Sequence, residues 1–481
     1  MAALCASAGS AAADAFDATA DDGRVALDAA IHIHTQYSTG SDALERVVED
    51  ARDLGLDVVV ITDDDLLEVT YGLPPWRQLM SLGRSHRSLL GEGTLGDYLA
   101  QIRRLDASHE DIVVIDGVES APYYHWDVDP TQRRLTVRGW NKHLLAIGLD
   151  DERSYSQLPI LGGEGNWQAQ RHWLLLWPVA GLVWAAMMGP RRRWIRWPVV
   201  VICTLFLADS ALSGLRLQHV TPYNPTLETE AYQSYVDAVE EAGGLSYWAH
   251  PEGASTIEPA RYLGGAVEVM SQTAAHARDL VDTRNYTGFA ALYADHITAT
   301  EPGHEWDRVL GDYLRGDRGR PVWGSGEIDY HEDVKGNRLH DILTVIWSRS
   351  RTRGHVLEAL RQGNSYAVRG GDERLRLQNF VGSTARTSAS SGERLITTGD
   401  FRIRADLDKV NGTGEVVELR LIAGDASGAQ VVAHIEGETP LQLSHVDAVA
   451  DGQQRYYRLM ARTRTSMLTS NPIFVSHAAE R

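Results

Sequence analysis

Two imidazoles stand two residues apart in Ile31-His32-Ile33-His34-Thr35, a short stretch with apolar residues at alternate positions. Side chains on an extended chain alternate with period two, so His32 and His34 would share one face and begin a divalent-metal site. An isolated His-x-His is also what two polar residues on a half-buried strand look like. The reading therefore turns on whether the chain supplies further ligands. Candidates recur along it: Asp63, Asp64 and Asp65 in succession, then Glu119, His143, His250, and the pair Asp329 and His331. Thiolates are not among them, since the two cysteines, Cys5 and Cys203, lie far apart and form no metal motif or structural disulfide. A set of imidazoles and carboxylates suits borderline-hard cations such as Zn, Mn or Fe.

Each candidate stands near the end of an expected element. Val25–Ile33 reads as a strand, and Ser41–Leu54 as an amphipathic helix with Leu44, Val47, Val48, Ala51 and Leu54 on one stripe, closed by Gly55. Asp57–Thr62 is a continuous apolar run of the kind buried on both faces of a parallel sheet. Leu95–Leu105 predicts a helix, Asp111–Val118 a strand leading into Glu119, and His143–Leu149 a further strand. The helix Thr226–Ala242 precedes the strand Leu245–Ala249, which runs into His250. Ala266–Met270 is a further strand, followed by a polar helical stretch. Pro321–Ser325 leads into Gly326–His331, and Asp341–Ser348 precedes a helix at His355–Gln362. This alternation predicts an α/β sheet or barrel, whose strand ends gather active-site residues.

Other stretches set the organisation. Residues 1–22 read as an untethered tail. The run Ala6-Ser7-Ala8-Gly9-Ser10 resembles the small-residue end of a leader, consistent with a start upstream. Residues 151–219 form an insertion. Trp173–Met188 is free of charge and Trp197–Ala208 is again apolar, around an arginine-rich turn at 190–196. Each run is shorter than the ~20 residues of a usual spanning helix. Tryptophans at both flanks nevertheless predict a short transmembrane or monotopic hairpin at residues 173–212, with a hairpin buried in the fold as the alternative. A spanning hairpin would place the arginines in the cytoplasm and the catalytic parts on the non-cytoplasmic side. From residue 376 the pattern changes to alternation in Phe401–Leu407, Val416–Ile422 and Tyr456–Arg464, with a hairpin-type turn at Asn411-Gly412, which predicts an all-β, sandwich-like module over 376–481. The formal charge of −19 disfavours nucleic acid as a partner. Lys142, Lys335 and Lys409 are the only lysines, so arginine carries nearly all the positive charge.

Six motifs in order then carry a resemblance. His32-Ile-His34-Thr, Gly55-Leu-Asp-Val-Val-Val-Ile-Thr-Asp63, Gly117-Val-Glu119, His143-Leu-Leu-Ala-Ile-Gly148, Gly243-Gly-Leu-Ser-Tyr-Trp-Ala-His250-Pro251 and Asp329-Tyr-His331 resemble the successive motifs of the PHP (polymerase and histidinol phosphatase) family, over residues 24 to about 370. The tail Thr469-Ser470-Asn471-Pro472-Ile473 is similar to that of the CehA/McbA group within it. The resemblance implies a distorted (β/α)7 TIM-like barrel in two parts, 23–150 and 220–375. It also implies a cluster of two or three divalent metals that hydrolyses a phosphoester, or less often another ester or a carbamate.

Carried over by motif, His32, His34 and Asp329 would hold one metal, Glu119 would bridge, and His143 with His250 would complete the second site. A third site would draw on His331. The family's Thr-Asp-His-Asp reads Thr62-Asp63-Asp64-Asp65 here, leaving Asp64 as a substitute ligand, with Asp42 an alternative to the ligand missing at Ser38-Thr39-Gly40. A hydroxide bridging two metals about 3.5–4 Å apart would be the nucleophile. Asp63 and Asp65 would orient that water or a ligand histidine, or cap the turn after the strand. Arg369 would reach a substrate anion or lie on the surface. A different class of function, a degenerate barrel serving as a binding or sensing module, has the Thr-Asp-Asp-Asp departure as its support.

Overall fold

The computed structural model describes residues 23–72, 81–163, 177–188, 192–214, 221–294, 296–334, 337–411 and 415–478. The expected tail at 1–22 lies outside them. Nine short strands make the part of the sheet that carries the site: β1 (Val25–Ile33), β2 (Val58–Ile61), β3 (Val113–Ser120), β4 (Leu144–Ile147), β5 (Leu245–Trp248), β6 (Gly288–Leu292), β7 (Trp323–Gly326), β8 (Ile342–Ser348) and β9 (Ser365–Arg369). Their hydrogen-bonded order is β7-β6-β5-β4-β3-β2-β1-β8-β9. The pairs β1–β2, β2–β3, β5–β6 and β6–β7 are parallel, whereas β4 runs against both of its neighbours and β8 against β1. Continuous apolar runs form these strands because both faces are covered; every residue of β2 is buried. Helix α1 (Leu44–Asp53) lays Leu44, Val47, Val48 and Ala51 on the sheet. It starts three residues later than the sequence predicts, and Leu54 falls beyond its end, exposed, before Gly55 at φ +71°.

The expected closed barrel is not formed by strand pairing among the described residues, because β7 has a strand neighbour on one side only. Side chains satisfy its other edge, where unpaired buried backbone groups would be costly. Thr344 on β8 accepts from the Gly326 amide at 2.9 Å and donates to the Gly326 carbonyl at 3.0 Å. The Asn471 amide does the same for Gly324, accepting from its N–H at 2.7 Å and donating to its carbonyl at 3.3 Å. Gly326 is what lets β8 come this close, since a Cβ there would lie 2.3 Å from the Leu343 carbonyl oxygen.

Beyond β9 the same sheet continues into the C-terminal strands. Met467–Ser470 pairs with β9 and with Gln454–Arg462, which leads to Val416–Asp425 and Gly428–Glu438. A second sheet, ordered Ser388–Ser390, Leu375–Ser383, Phe401–Lys409, Leu441–Asp447, lies apart from it. The alternating pattern read at Phe401–Leu407 appears as alternating burial. Of the expected turn at Asn411-Gly412, Gly412 lies outside the described residues. Arg458 reaches back across the seam to Asp307 in the helix Glu305–Arg315, with Nε and Nη2 donating at 2.9 and 2.8 Å.

Two small sheets flank the site, and of their strands the sequence predicts only the one at Ala266–Met270. One pairs Glu68–Gly72 with Ser81–Ser85. The other is ordered Ser255–Tyr262, Val267–Thr273, Arg134–Arg138, His125–Asp129, so the strand expected at Ala266–Met270 belongs here and not with the central strands. The polar helical stretch expected after it is a single turn, Asp279–Asp282.

The membrane expectation for residues 173–212 is corrected. Among the described residues no helix is long and apolar enough to cross a membrane. Trp177–Met187 has 11 residues, about 16 Å at 1.5 Å per residue, against a hydrocarbon core of ~30 Å. Arg193–Gly214 is longer, but it opens on Arg193-Trp194-Ile195-Arg196 and carries Pro198 inside. Part of the expected segment, including Trp173 and Arg191, lies outside the described residues. The topology built on a spanning hairpin, with the catalytic domain on the non-cytoplasmic side, falls with it.

Candidate metal centre

The ligands arrive by local distortion of the strands that carry them. The β1–β2 register shifts between Ile31 and Ile33, and His32 in the bulge has φ +75°. Plain alternation therefore does not aim the first two imidazoles; a bulge does, leaving their rings 5.2 Å apart. His250 and Asp329 also have positive φ, +33° and +51°, so three of the six non-glycine residues in that region among the described residues are candidate ligands. Each such conformation costs of order 1–3 kcal/mol and persists only where the surroundings impose it. Here the backbone does so: His34 N–H donates to the Tyr330 carbonyl at 2.8 Å, and Tyr330 N–H to the His32 carbonyl at 3.0 Å.

Two ligand groups result, and they share one carboxylate. His32, His34, Glu119 and Asp329 present ligand atoms all within 4.8 Å of one another, as do Glu119, His143 and His250. Glu119 Oε1 lies 3.0 Å from His32 Nε2, 2.8 Å from His143 Nδ1 and 3.3 Å from His250 Nε2. Its other oxygen lies 3.2 Å from His34 Nε2. Asp329 Oδ1 stands 3.3 and 3.5 Å from the same two Nε2 atoms of His32 and His34. The cleft in front of them holds about 330 Å³ and is lined by Asp64, Glu119, His143, His250, Asp329 and His331, among others.

The electrostatics fit cations. Nε2 of His32 and of His34 are buried without a hydrogen-bond partner, the position a ligand atom takes. Burial opposes charge on His32, but Glu119 and Asp329 outweigh it and push its pKa up to about 10. His34 and His143 are raised in the same way, against burial, by Asp64 and Glu119 respectively. Conversely, burial would raise Glu119 and Asp329, yet the surrounding imidazoles hold both well below the usual carboxylate range. A pocket that demands this much positive charge suits divalent cations with neutral imidazole ligands.

No family model matches this chain, and no curated protein matches it. Among solved structures, a two-domain protein from Bacteroides vulgatus ATCC 8482, described as containing a predicted PHP-like metal-dependent phosphoesterase, is similar over 91% of both chains at 11% identity and a TM-score of 0.34. A putative metal-dependent phosphoesterase from Bifidobacterium adolescentis ATCC 15703 is similar over 63% of this chain and 87% of its own, at 17% identity and a TM-score of 0.28. Likenesses at these scores carry no part of the functional reading, which rests on the geometry.

The remaining predicted residues separate. Asp64 and His331 both line the cleft beside His34: Asp64 Oδ2 lies 3.3 Å from His34 Nδ1, and the His331 ring stacks on the His34 ring at 4.3 Å. Thr39 joins them, donating to Asp64 at 2.8 Å. Asp63 and Asp65, expected to orient water, point elsewhere. Asp63 accepts from Thr35 N–H at 2.8 Å, Thr35 Oγ1 at 2.7 Å and Ser38 Oγ at 2.6 Å, so it holds the 35–40 loop. That loop doubles back so tightly that a Cβ at Gly40 would lie 2.3 Å from the His34 carbonyl oxygen. Asp65 is buried against Ser120 and the Leu66 amide, and burial pushes its carboxyl up to about 7. The backbone of this triad still serves the centre, because Asp65 N–H donates to the Glu119 carbonyl at 2.9 Å. Asp42 accepts from the Tyr330 hydroxyl at 2.6 Å and does not line the cleft, and Arg369 donates to the Ala294 carbonyl.

Three contributors escaped the sequence reading. Glu327, fully buried, faces His32 Nδ1 at 3.3 Å while accepting from Ser325 Oγ at 2.7 Å. It fixes the ring so that Nε2 is aimed at the centre. The Trp140 carbonyl does the same for His143 from Nε2, at 3.1 Å. Tyr293 lines the cleft and donates to Asp329 Oδ2 at 3.0 Å; burial pushes its hydroxyl far above its ordinary range. The signal for Glu327 was available, two positions before Asp329, but a lone glutamate after a glycine carries no spacing rule.

Proposed function

We propose that this chain is a PHP-type metal-dependent phosphoesterase acting on a small-molecule phosphoester, with His32, His34 and Asp329 on one metal, His143 and His250 on the other, and Glu119 between them. The observation that carries the reading is the single buried carboxylate shared by two ligand groups in one cleft. The order of the sequence motifs supports the family, and the Thr469–Ile473 tail supports the CehA/McbA group within it. Bound divalent cations would supply Lewis acidity, lowering the pKa of water and neutralising phosphoryl oxygens. The chain's own part is orientation. Glu327 and the Trp140 carbonyl hold the imidazoles, Asp63 holds the loop behind His34, and Tyr293 keeps its proton and can donate it as a hydrogen bond inside the cleft. In the overall reaction a water oxygen bonds to phosphorus, the ester P–O bond breaks, and one water proton ends on the leaving alcohol. Asp64 and His331 are the residues at which a third cation would be sought.

Elemental analysis of the purified chain, with turnover of an aryl phosphate, an aryl acetate and an aryl carbamate, tests this. The expected result is two or more transition metals per chain and release of phosphate. Turnover of the acetate or carbamate alone would move the assignment to carboxylic ester or carbamate hydrolysis on the same centre. Fewer than two tightly held metals without turnover would leave a binding or sensing module.

A further inference from the structure

A larger cleft, of about 630 Å³, adjoins the metal cleft and shares His86, Trp140 and Ile257 with it. Its walls come from the two small flanking sheets. Leu82, Val128, Ile257 and Tyr262 all line it, and they are 53%, 46%, 47% and 44% exposed. They come from three strands: Leu82 from Ser81–Ser85, Val128 from His125–Asp129, and both Ile257 and Tyr262 from Ser255–Tyr262. Val69, Trp126 and Val137 form its buried floor. Exposed apolar side chains scattered singly need no explanation, but four converging on one concavity mark a binding surface. The volume falls within the range of small-molecule sites. Trp140 joins the two clefts, since it lines both while its carbonyl orients His143.

The geometry points to a substrate with an apolar alcohol portion: a phosphoester whose phosphoryl group sits at the metal centre and whose alkyl or aryl tail lies in the adjoining cleft. This rests on the hydrolase reading and names its substrate class. The chemistry is unchanged: water supplies oxygen to phosphorus, the P–O bond to the apolar alcohol breaks, and the alcohol leaves protonated. The concavity opens onto the centre through three shared residues, which favours a tail on the reacting molecule over a separate partner.

The test uses the full chain loaded with Mn and a series of n-alkyl phosphates (ethyl, butyl, hexyl, octyl) below their micelle concentrations. KM should fall by roughly two- to fourfold per added methylene, as burial of apolar surface at about 0.8 kcal/mol per CH2 implies, until the cleft is filled. Val128→Asp and Tyr262→Asp, both at exposed positions, should each flatten that gradient. The neutral dye N-phenyl-1-naphthylamine reads the cleft without turnover: octyl phosphate should displace it, and both substitutions should weaken it. A flat KM series with ethyl phosphate still hydrolysed overturns the tail site and leaves the phosphoesterase standing. Dye binding that survives both substitutions lies elsewhere on the chain and also overturns it. Displacement by octyl phosphate with no ester turned over supports the cleft and overturns the hydrolase reading instead.

Discussion

Two buried polar clusters in this molecule are each centred on buried carboxylates and answer them with different cationic partners. At the seam with the C-terminal strands, Asp307 is matched on both oxygens: Oδ1 accepts from Tyr456 Oη at 2.8 Å and Arg458 Nε at 2.9 Å, Oδ2 from Arg458 Nη2 at 2.8 Å and Gly303 N–H at 2.7 Å. The Arg458 guanidinium also lies over the Trp306 ring, 4.9 Å from its centroid. At the candidate metal centre, four imidazoles surround two carboxylates, two buried nitrogens lack hydrogen-bond partners, and the backbone is strained at three ligands. At the seam Arg458 Nη1 is likewise buried without a hydrogen-bond partner, but both oxygens of Asp307 meet a fixed guanidinium, and the cluster ties a helix to the C-terminal strands. The centre gathers imidazoles and carboxylates on one cleft, with no guanidinium or ammonium among the described residues that line it, and a bound cation would supply the positive charge. Burial of charge alone distinguishes nothing, and neither does an unpartnered nitrogen, which both clusters have; what separates them is a fixed guanidinium at the seam against imidazoles around a shared carboxylate, on strained backbone and beside a cleft, at the centre.

Substitutions should break this contrast along its own line. Glu119→Gln removes the shared ligand, and turnover of an aryl phosphate should drop on the order of 10³-fold or more, since the Lewis-acid contribution is worth several kcal/mol and 1.4 kcal/mol is tenfold. Asp307→Ala does the reverse. It strands a buried guanidinium and should cost about 3–5 kcal/mol in denaturant unfolding, with kcat of the folded fraction unchanged. Loss of kcat at constant folded fraction would mean that the seam positions the active site. Glu327→Gln keeps the shape but weakens the hold on His32, and metal affinity measured by competition with a chelator should fall by roughly 10–100-fold. Asn471→Ala leaves the Gly324 amide and carbonyl unpaired and should cost about 1–3 kcal/mol, read as a lower urea midpoint with metal content retained.

The smallest expected effect is one of pH, on the metal-stripped protein. His32 has a folded pKa raised to about 10, so its contribution to stability is full below its unfolded value of 6.5 and fades as pH rises toward 10. Glu119 and Asp329, depressed in the fold, contribute above about pH 4.5 and lose their contribution as pH falls below it. Thermal unfolding in chelator should therefore be highest between roughly pH 5 and 6.5. With metal loaded the alkaline loss should vanish, since coordination requires neutral imidazole.

Much of this was legible in the chain. Val25–Ile33 is the strand that the sequence predicts, and the runs at 57–62, 111–118 and 245–249 are strands within a residue or two. Local pattern suffices there, because a buried strand needs only continuous apolar side chains. The eight metal-ligand candidates lie around one cleft, six of them in the two ligand groups, because each lies at or beside a strand end that opens there. Asp63 and Asp65 illustrate the limit: their residue types allow a catalytic role, and only the folded chain shows Thr35, Ser38 and Ser120 occupying their oxygens. The apolar hairpin shows another, since hydropathy marks a segment as apolar without saying what length of helix it will form.

The sequence by itself determined which residue types are available and which strands deliver them, since both follow from short-range periodicity. Tertiary structure alone decided that β1 bulges at His32, that Thr344 and Asn471 stand in for a missing strand beside β7, and that four exposed apolar side chains meet beside the metal centre. Those are relations between residues tens to hundreds of positions apart, set by packing and by the demand that buried polar groups find partners, and no local pattern encodes them.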